Sequence, residues 1–359
     1  ANAATSPMET APRYVSSAQS FGEVFIVDGM TAKVFNPREL TLKDWVARGQ
    51  GSVPKKARII ENFAGAMFLA GFEDGHEWVM SARPDPYDFD LDPGIELPTQ
   101  AWSSQLGPPG RVPGLITGFI PIFDDLALVL CDSSVWRMTG DPASPGSRFD
   151  PLSQVIGGAF GRAWAVGPDN TPFFWARHGG LYTALGGTQL ERVGKHDLES
   201  EFEQIDHSKF FVRLAWNRTF DGMDIFVCPY GGVNDRPRAY FWERATGAYW
   251  PDERFNAGHD VTDVVVLDGD QAGDREVVFG CRDGRMRRWS TTAQTDDGER
   301  IHSRVVIGPI FVDHRFETKI SRILVMVEQT QGAPTLLVRT SETPAGPGPV
   351  VRRYALRPG

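Results

Sequence analysis

A strand-turn-strand unit recurs about every fifty residues along the chain, and this repeat constrains the fold more than any other feature. The turn pairs are Asp28-Gly29, Asp74-Gly75, Asp132-Ser133, Gly179-Gly180, Gly231-Gly232, Asp283-Gly284 and Gln331-Gly332. Successive pairs lie 46 to 58 residues apart, and short apolar or alternating runs flank each one. Because glycine accepts the positive φ of tight hairpin turns, we predict two-residue turns at these places.

A repeat of this length, with about four short strands in each copy, predicts an all-β fold of the β-propeller type. A single hairpin exposes an apolar face and must stack on neighbours, and closing the stack into a ring removes its two free ends. Seven hairpins favour seven blades. Six blades are the second choice, with 301–339 completing the ring by strands that return to the first blade. Two stacked β-sandwiches are the competing architecture.

The domain organisation follows from the same repeat. We predict an N-terminal tail or arm over 1–20 and the propeller over 21–340. A Pro/Gly-rich connector and a C-terminal strand or arm follow over 341–359. Helical periodicity is convincing only over 196–204, where Leu198 and Phe202 are spaced by four residues.

Charge and cysteine usage exclude several classes of protein. The formal net charge is −9, and an acidic surface repels nucleic acid. Cys131, Cys228 and Cys281 stand singly in apolar runs, so we predict buried, reduced thiols of a protein made in a cytosol. No apolar run is long enough to predict a membrane span, and 1–12 lacks the features of a secretory signal. Ala1 is then either a native start after methionine removal or the beginning of a fragment.

Candidate metal sites are weak. Asp88, Asp90 and Asp92 alternate like a calcium loop, but Pro93 and Thr99 stand where that loop needs glycine and glutamate. The seven histidines lack zinc-site spacing. A cluster of four acidic residues could bring its carboxylates together around a cation, although a polar hairpin loop has the same composition. These residues are Asp268, Asp270, Asp274 and Glu276. We predict no metal and no cofactor.

Motifs for catalysis are missing as well. The sequence has no G-x-S-x-G elbow, and the GGAFG run at 157–161 precedes an apolar strand rather than a helix. We therefore predict that the protein is not an enzyme and has no catalytic residues. The alternative is a carbohydrate-binding or glycoside-cleaving propeller, since such enzymes use paired carboxylates. Trp216, Trp242 and Trp250 could stack on sugars, but we favour their filling the space between blades.

The stretch EWVMSARPDPYDFDLDP at 77–93 begins as a strand and continues as a stiff acidic corner. Each proline restricts the residue before it to an extended conformation, so we predict a blade-to-blade crossover in which Tyr87 and Phe89 cover a blade edge. This stretch and three later segments resemble a known group of proteins. The four segments are the run from VDG through MFLAG to WVMSARPDPYDFD, ITGFIPIFDDLALVLCDSSVWRMTGDP (116–142), VIGGAFG with FFWARHGGLYTALGG (155–187), and IHSRVVIGPI (301–310).

Over most of 21–330 the chain resembles the propeller-type virion proteins of tailed bacteriophages. The resemblance implies a structural protein of the head-to-tail junction, tail tube end or nozzle, present in several copies around the DNA channel. Its partners would be further copies of itself and other tail or neck proteins, with DNA as passing cargo. The protein would be assembled in the host cytoplasm and reside in the virion.

Exposed anchors for such partners are predicted at two kinds of position. Trp102 lies in a loop-like segment and is the candidate aromatic anchor. The candidate basic anchors are Arg285, Arg287 and Arg288, and Arg352 and Arg353. On a strand, Arg285 and Arg287 would point to one face and Arg288 to the other, which favours a subunit-facing or edge-protecting role over a DNA groove.

Overall fold

Short antiparallel strands joined by tight turns make up nearly all of the described chain. The computed structural model describes residues 14–49, 51–92, 97, 99–186, 188–194, 198–231, 235–252, 256–267, 276–290, 292–293, 295–300, 335–339 and 350–355. The chain divides into two units, 1–289 and 290–359, whereas the sequence prediction placed the propeller over 21–340. Residues 16–20, predicted as part of a tail, form the first strand.

The first unit contains six sheets in sequence order. The first sheet comprises β1 (Ser16–Ser20), β2 (Glu23–Val27), β3 (Ala32–Asn36) and β4 (Thr41–Asp44). The second comprises β5 (Ile59–Phe63), β6 (Ala66–Ala70), β7 (Trp78–Met80) and β8 (Trp102–Ser103). The third comprises β9 (Ile116–Phe123), β10 (Leu126–Cys131), β11 (Val135–Thr139) and β12 (Arg148–Ser153).

The remaining three sheets follow the same plan. The fourth comprises β13 (Trp164–Val166), β14 (Pro172–Trp175), β15 (Leu181–Leu185) and β16 (Gln189–Val193). The fifth comprises β17 (Phe210–Asn217), β18 (Gly222–Pro229), β19 (Arg238–Glu243) and β20 (Tyr249–Asp252). The sixth comprises β21 (Val261–Leu267), β22 (Glu276–Cys281) and β23 (Met286–Arg288). One short helix, α1 (Glu199–Glu203), precedes the fifth sheet and lies within the helix predicted over 196–204.

The second unit contains two hairpins in its described part. One pairs β24 (Thr295–Asp296) with β25 (Glu299–Arg300), and the other pairs β26 (Thr335–Arg339) with β27 (Val350–Ala355). β27 lies in the segment over 341–359 for which the sequence predicted a connector and a C-terminal strand or arm.

The six small antiparallel sheets lie in a ring and form a β-propeller with six blades. The predicted all-β propeller is confirmed, and the count of seven blades is not. Six of the seven predicted hairpins supply the second and third strands of the six sheets. The seventh, at Gln331-Gly332, lies outside the described residues.

In the first three sheets, the turn between the second and third strands makes a backbone hydrogen bond to the segment that begins the next sheet. The Gly29 amide donates to the Ala57 carbonyl (2.9 Å), just before β5. The Ile116 amide at the start of β9 donates to the Gly75 carbonyl (2.8 Å), and the Gly158 amide, before β13, donates to the Cys131 carbonyl (2.8 Å). Because neighbouring strands run antiparallel, these turns and the connections between sheets lie on the same face of the ring.

The turns at Asp28-Gly29 and Asp132-Ser133 have the same length: at the second of them four residues, 131–134, separate the paired Leu130 and Val135. Four residues, 28–31, separate the paired Val27 and Ala32. The Asp28 carboxylate accepts from the amides of Met30 (2.8 Å) and Thr31 (2.6 Å). The aspartate thus organises this turn through its side chain.

We expect Asp28→Ala to lower the free energy of unfolding by about 1 to 2 kcal/mol, because two turn amides lose their acceptor. Asp28→Asn keeps an acceptor oxygen at the same position and should retain more than half of that contribution. Urea unfolding of the three proteins measures the difference. Equal losses in both variants would show that charge, rather than turn geometry, accounts for the effect.

The apolar core lies between successive sheets. Trp45, Trp78 and Trp175 are among its largest fully buried side chains. Trp216 and Trp242 are buried between the fourth and fifth sheets, which confirms their predicted filling role, whereas Trp250 is exposed. Cys131, Cys228 and Cys281 are buried and free of disulfides, as predicted.

Trp102 is only 7% exposed and packs in the core between the second and third sheets, so its predicted exposure is wrong. The segment around it resembles a loop in sequence, but Trp102 pairs with Met80 as part of β8. An outer strand of only two residues has no periodicity by which the sequence could reveal it.

The acidic corner after β7 connects two strands of the second sheet, so the predicted blade-to-blade crossover is wrong. Its rings nevertheless cover the neighbouring sheet: Tyr87 packs edge-on against Phe25 (5.6 Å between centroids), and Phe89 packs against Trp45 (5.5 Å). The Tyr87 hydroxyl also donates to Glu23 (2.6 Å). The prolines shape a segment that folds back over the first sheet.

In the described residues, no helix has the length and apolar character needed to span a membrane.

Candidate functional site

Five polar side chains meet at the axis of the ring, and we call them the axial cluster: Tyr14, Glu61, Arg162, Arg213 and Asp263. Each lies on, or just before, the first strand of a different sheet. The first strands contact one another in succession, and they are the innermost strands. The ring therefore brings together residues that are far apart in sequence.

Tyr14 is the centre of the axial cluster. Its hydroxyl accepts from the Arg162 amide (2.5 Å) and from Arg213 Nη1 (2.6 Å). A Cβ at Gly161, which has φ +86°, would lie 2.3 Å from the Tyr14 ring, so only glycine leaves room for that ring. Burial raises the pKa of Tyr14 and outweighs the opposing effect of Arg213, so the phenol is neutral.

Arg213 links Tyr14 to the sixth sheet. Its Nε atom lies 2.7 Å from Asp263, and its guanidinium lies over the rings of Tyr14 (4.8 Å) and Phe211 (5.4 Å). Burial acts to lower the pKa of Arg213, but the opposing effect of Tyr14 and Asp263 is larger and raises it. The side chain therefore remains charged. This arginine therefore contacts Tyr14, just before the first sheet, and Asp263 of the sixth sheet.

Glu61 is a buried carboxyl beside these cations. It is 5% exposed, and Arg162 Nε lies 3.7 Å from its Oε1 atom. Burial raises the pKa of Glu61 to about 7, although Arg162 and Arg213 both act to lower it. The carboxyl therefore changes protonation near neutral pH, in contrast to an exposed glutamate.

A tyrosine, two carboxylates and two arginines are also a set that a glycosidase for acidic sugars could use. The exposure of these side chains to solvent and substrate decides whether the axial cluster could perform this chemistry or has a structural role. Tyr14 is 8% exposed, Arg213 is similarly buried, and the Tyr14 hydroxyl already accepts two hydrogen bonds. The side chains of Arg162 and Asp263 are more exposed (45% and 58%), so the buried part of the axial cluster is Tyr14, Glu61 and Arg213. There the Tyr14 hydroxyl is engaged with Arg213 and with the backbone just before β13.

A second concave region, which we call the interblade cleft, lies between the fifth and sixth sheets and has a volume of about 380 Å³. Arg236 binds the buried Asp260 through two hydrogen bonds (3.1 and 2.7 Å). The Tyr240 hydroxyl donates to Glu201 (2.5 Å), and burial raises the pKa of Tyr240. The polar groups of the cleft are therefore largely engaged with one another.

The predicted basic anchors lie in different surroundings. Arg285 is exposed in the turn before β23. Arg287 binds Asp283 through both Nη atoms (2.9 and 2.6 Å) and holds the pKa of that carboxyl below its usual range. Arg288 Nη1 donates to Glu276 (2.6 Å). These contacts make Arg287 part of its own turn and leave Arg285 and Arg288 at the surface.

The other predicted residues are only partly described. Arg352 and Arg353 lie on β27 opposite Val338 and Leu337, and their side chains are outside the described part. Asp268, Asp270 and Asp274 also lie outside it. In the described ranges, no three His, Cys, Asp or Glu side chains come together as metal ligands would.

Sequence reasoning missed the axial cluster, although two of its members left a signal. Glu61 lies in the apolar run RIIENF, and Arg213 lies in FFVRLAW. A charged residue within the first apolar strand of a repeat indicates a polar contact at the axis. Tyr14 left no such signal, because it precedes the first repeat.

No protein-family model matches this chain, and no curated protein sequence matches it. Similar folds occur among solved structures. One is the extracellular domain of a hybrid two-component system from B. thetaiotaomicron, with 9% identity and a TM-score of 0.41 over 79% of this chain. This chain spans 40% of that relative's length. Another is from the S. cerevisiae Dbp5 complex with Nup159, Gle1, IP6 and ADP, with 10% identity and a TM-score of 0.43 over 85% of this chain and 79% of the other. Similarity at this level identifies neither a family nor a function.

Proposed function

We propose that this protein is a structural component of a tailed-phage virion, present in several copies at the tail or head-to-tail junction. The observation that carries the proposal is the polar axis, where Tyr14, Glu61 and Arg213 are buried and the Tyr14 hydroxyl is bonded to Arg213. Such an axis suits a rigid building block better than an open catalytic site. The resemblance of the sequence to propeller-type virion proteins supports the same role.

Burial at the axis also bears on the path of DNA. Because Tyr14 and Arg213 are buried together beside the innermost strands, we propose that no duplex passes through the centre of a single propeller. A DNA channel would have to lie between several copies, with DNA as passing cargo. The net charge of −9 suits such a wall, since it weakens phosphate binding.

Large exposed side chains on the described surface support binding of protein neighbours. Phe123, Phe220, Trp250 and Met286 are all exposed on turns, outer strands or sheet edges. Aromatic and methionine side chains of this kind are enriched in protein interfaces. The partners proposed here are further copies of the chain and other tail or neck proteins.

Mass in solution tests the proposal directly. We expect light scattering to give a multiple of the 39.7 kDa chain mass, and negative-stain microscopy to show rings of several copies. A chain that stays monomeric over the whole accessible concentration range, alone and with purified portal or tail proteins, would contradict the proposal.

A carbohydrate-binding or glycoside-cleaving propeller is the second candidate, and the interblade cleft is the observation in its favour. Its lining brings Glu201, Asp252 and Tyr240 together with two arginines. The test is a screen of bacterial surface glycans and model glycosides, with Glu201→Gln as the matched variant. Turnover or binding that the substitution abolishes would support this candidate over a purely structural protein.

A further inference from the structure

Of Trp216, Trp242 and Trp250, which the sequence offered for stacking on sugars, Trp250 alone is exposed, at 53%. It lies on β20, the outermost strand of the fifth sheet, and pairs with the half-buried Phe241 of β19. The Phe241 ring contacts the exposed Phe220 ring edge-on, at 6.2 Å between centroids. Trp250, Phe241 and Phe220 therefore form a band of rings at the surface, which we call the aromatic row.

The aromatic row borders the interblade cleft. The register places Trp250 on the same face of the fifth sheet as Asp252, two residues further along β20, and as Ala239, the partner of Asp252 on β19. Asp252 and Ala239 both line the cleft, as does Phe226 of the neighbouring strand β18. Because residues two apart on a strand are separated by about 6 to 7 Å, a ligand in the cleft lies within reach of the Trp250 ring.

The charged groups of the cleft are fixed in position and can still bond to a ligand. Arg236 holds the buried Asp260 through two hydrogen bonds, and the Tyr240 hydroxyl donates to Glu201 Oε1. In the part of the chain that the structure describes, no hydrogen bond reaches Glu201 Oε2, and the Glu201 side chain is 42% exposed. Arg238 lies 3.9 Å from the same carboxylate and carries several N–H donors. The cleft thus presents a carboxylate acceptor and guanidinium donors side by side.

The balance of charge indicates the class of ligand. The lining has three carboxylates, those of Glu201, Asp252 and Asp260, and two guanidiniums, those of Arg236 and Arg238. An excess of one negative charge disfavours phosphates and sugar acids. A neutral sugar has an apolar C–H face that packs on an aromatic ring, and hydroxyl groups that pair with carboxylates and guanidiniums. The volume of about 380 Å³ lies within the usual range of small-molecule sites.

We infer that the interblade cleft and Trp250 together form a binding site for short neutral oligosaccharides. One sugar ring stacks on Trp250, and the next occupies the cleft, where its hydroxyls bond to Glu201 and Arg238. The inference goes beyond the structural role proposed above, which does not require it, and rests on the carbohydrate-binding alternative, for which it specifies the ligand class. A virion protein with this site would attach to uncharged glycans of a bacterial surface.

Titration calorimetry on the full chain tests the site. The probes are short oligosaccharides of glucose, of galactose and of N-acetylglucosamine, and a glucuronic acid oligosaccharide of the same length. We expect at least one neutral probe to bind with a dissociation constant of about 1 mM or lower. The glucuronic acid probe should bind at least about tenfold more weakly, because its carboxylates meet the excess negative charge of the cleft.

Substitutions on both sides of the site locate the binding. Trp250→Ala should weaken binding at least about tenfold, and Trp250→Phe, which keeps a ring, should retain more of the affinity. Glu201→Gln should weaken binding about threefold or more, because a neutral amide replaces a charged acceptor. Phe123→Ala removes a ring of similar exposure (52%) from the third sheet and should leave binding unchanged. Unfolding temperatures of the variants check that each one is folded.

The outcomes separate this inference from the structural role. No binding of any neutral probe at about 10 mM would overturn the site and leave the structural role standing. Binding that Trp250→Ala and Glu201→Gln leave unchanged would overturn it as well. If Trp250→Ala instead abolishes assembly of the chain and no sugar binds, the aromatic row is a protein interface and the inference is wrong. A protein that binds the probes through Trp250 but stays monomeric would support the site and contradict the structural role.

Discussion

Replacement of Tyr14 by alanine should lower the free energy of unfolding by about 3 to 5 kcal/mol, although this residue lies just before the first strand. The ring is buried against Phe160 (5.3 Å) and Phe211 (5.7 Å), and Arg213 stacks on it. Alanine removes these contacts and leaves a cavity at the axis. It also removes the acceptor that Arg213 and the Arg162 amide share. Equilibrium unfolding in urea at neutral pH measures the loss.

Tyr14→Phe is the matched control, because it keeps the ring and removes only the hydroxyl. We expect it to cost about 1 to 3 kcal/mol, the usual penalty for leaving buried donors without an acceptor. A small loss in both variants, below about 1 kcal/mol, would contradict the role of Tyr14 as the residue that joins the sheets at the axis.

Glu61→Gln should stabilise the protein above neutral pH, by up to about 3 kcal/mol, and leave its stability near pH 4.5 unchanged. The pKa of Glu61 is raised to about 7 in the folded state from an ordinary value of 4.5. A carboxyl with a raised folded-state pKa destabilises the protein as it ionises. The penalty is therefore absent below pH 4.5, grows as the pH rises to 7, and is constant above it.

Unfolding free energies of the wild type and Glu61→Gln at intervals from pH 4.5 to pH 8.5 give the difference curve. Glu191→Gln, on the exposed outer strand β16, is the control and should show no such curve. A difference between wild type and Glu61→Gln that does not change with pH would show that Glu61 ionises normally and that its burial is compensated by Arg162.

The sequence predicted the repeat well, because turn chemistry and strand alternation are local properties. The pairs at Asp28, Asp132 and Asp283 stand between the second and third strands of their sheets, as the spacing required. It predicted the acidic corner and Trp102 poorly, because both depend on contacts with other sheets. A two-residue strand such as β8 forms only because Met80 is already in place to pair with Trp102.

The assembly of the candidate site, as opposed to the single charges of Glu61 and Arg213 in apolar strands, was beyond sequence reasoning for the same physical reason. The axial cluster exists only when the innermost strands of several sheets are side by side, and its members have no common spacing. The basic anchors illustrate a related limit: the pattern of arginines is visible in sequence, but only the structure shows that Arg287 is engaged with Asp283 while Arg285 is exposed.

The hydrogen bond between Tyr14 and Arg213 joins residues 199 positions apart in the chain. During synthesis at about 5 to 20 residues per second, the tyrosine would leave the ribosome roughly 10 to 40 s before its partner. The innermost side chains of the sheets that are synthesised first must therefore remain exposed to water while the rest of the polypeptide is made. The contacts of the axial cluster therefore form late in synthesis, after most of the sheets of the ring have left the ribosome.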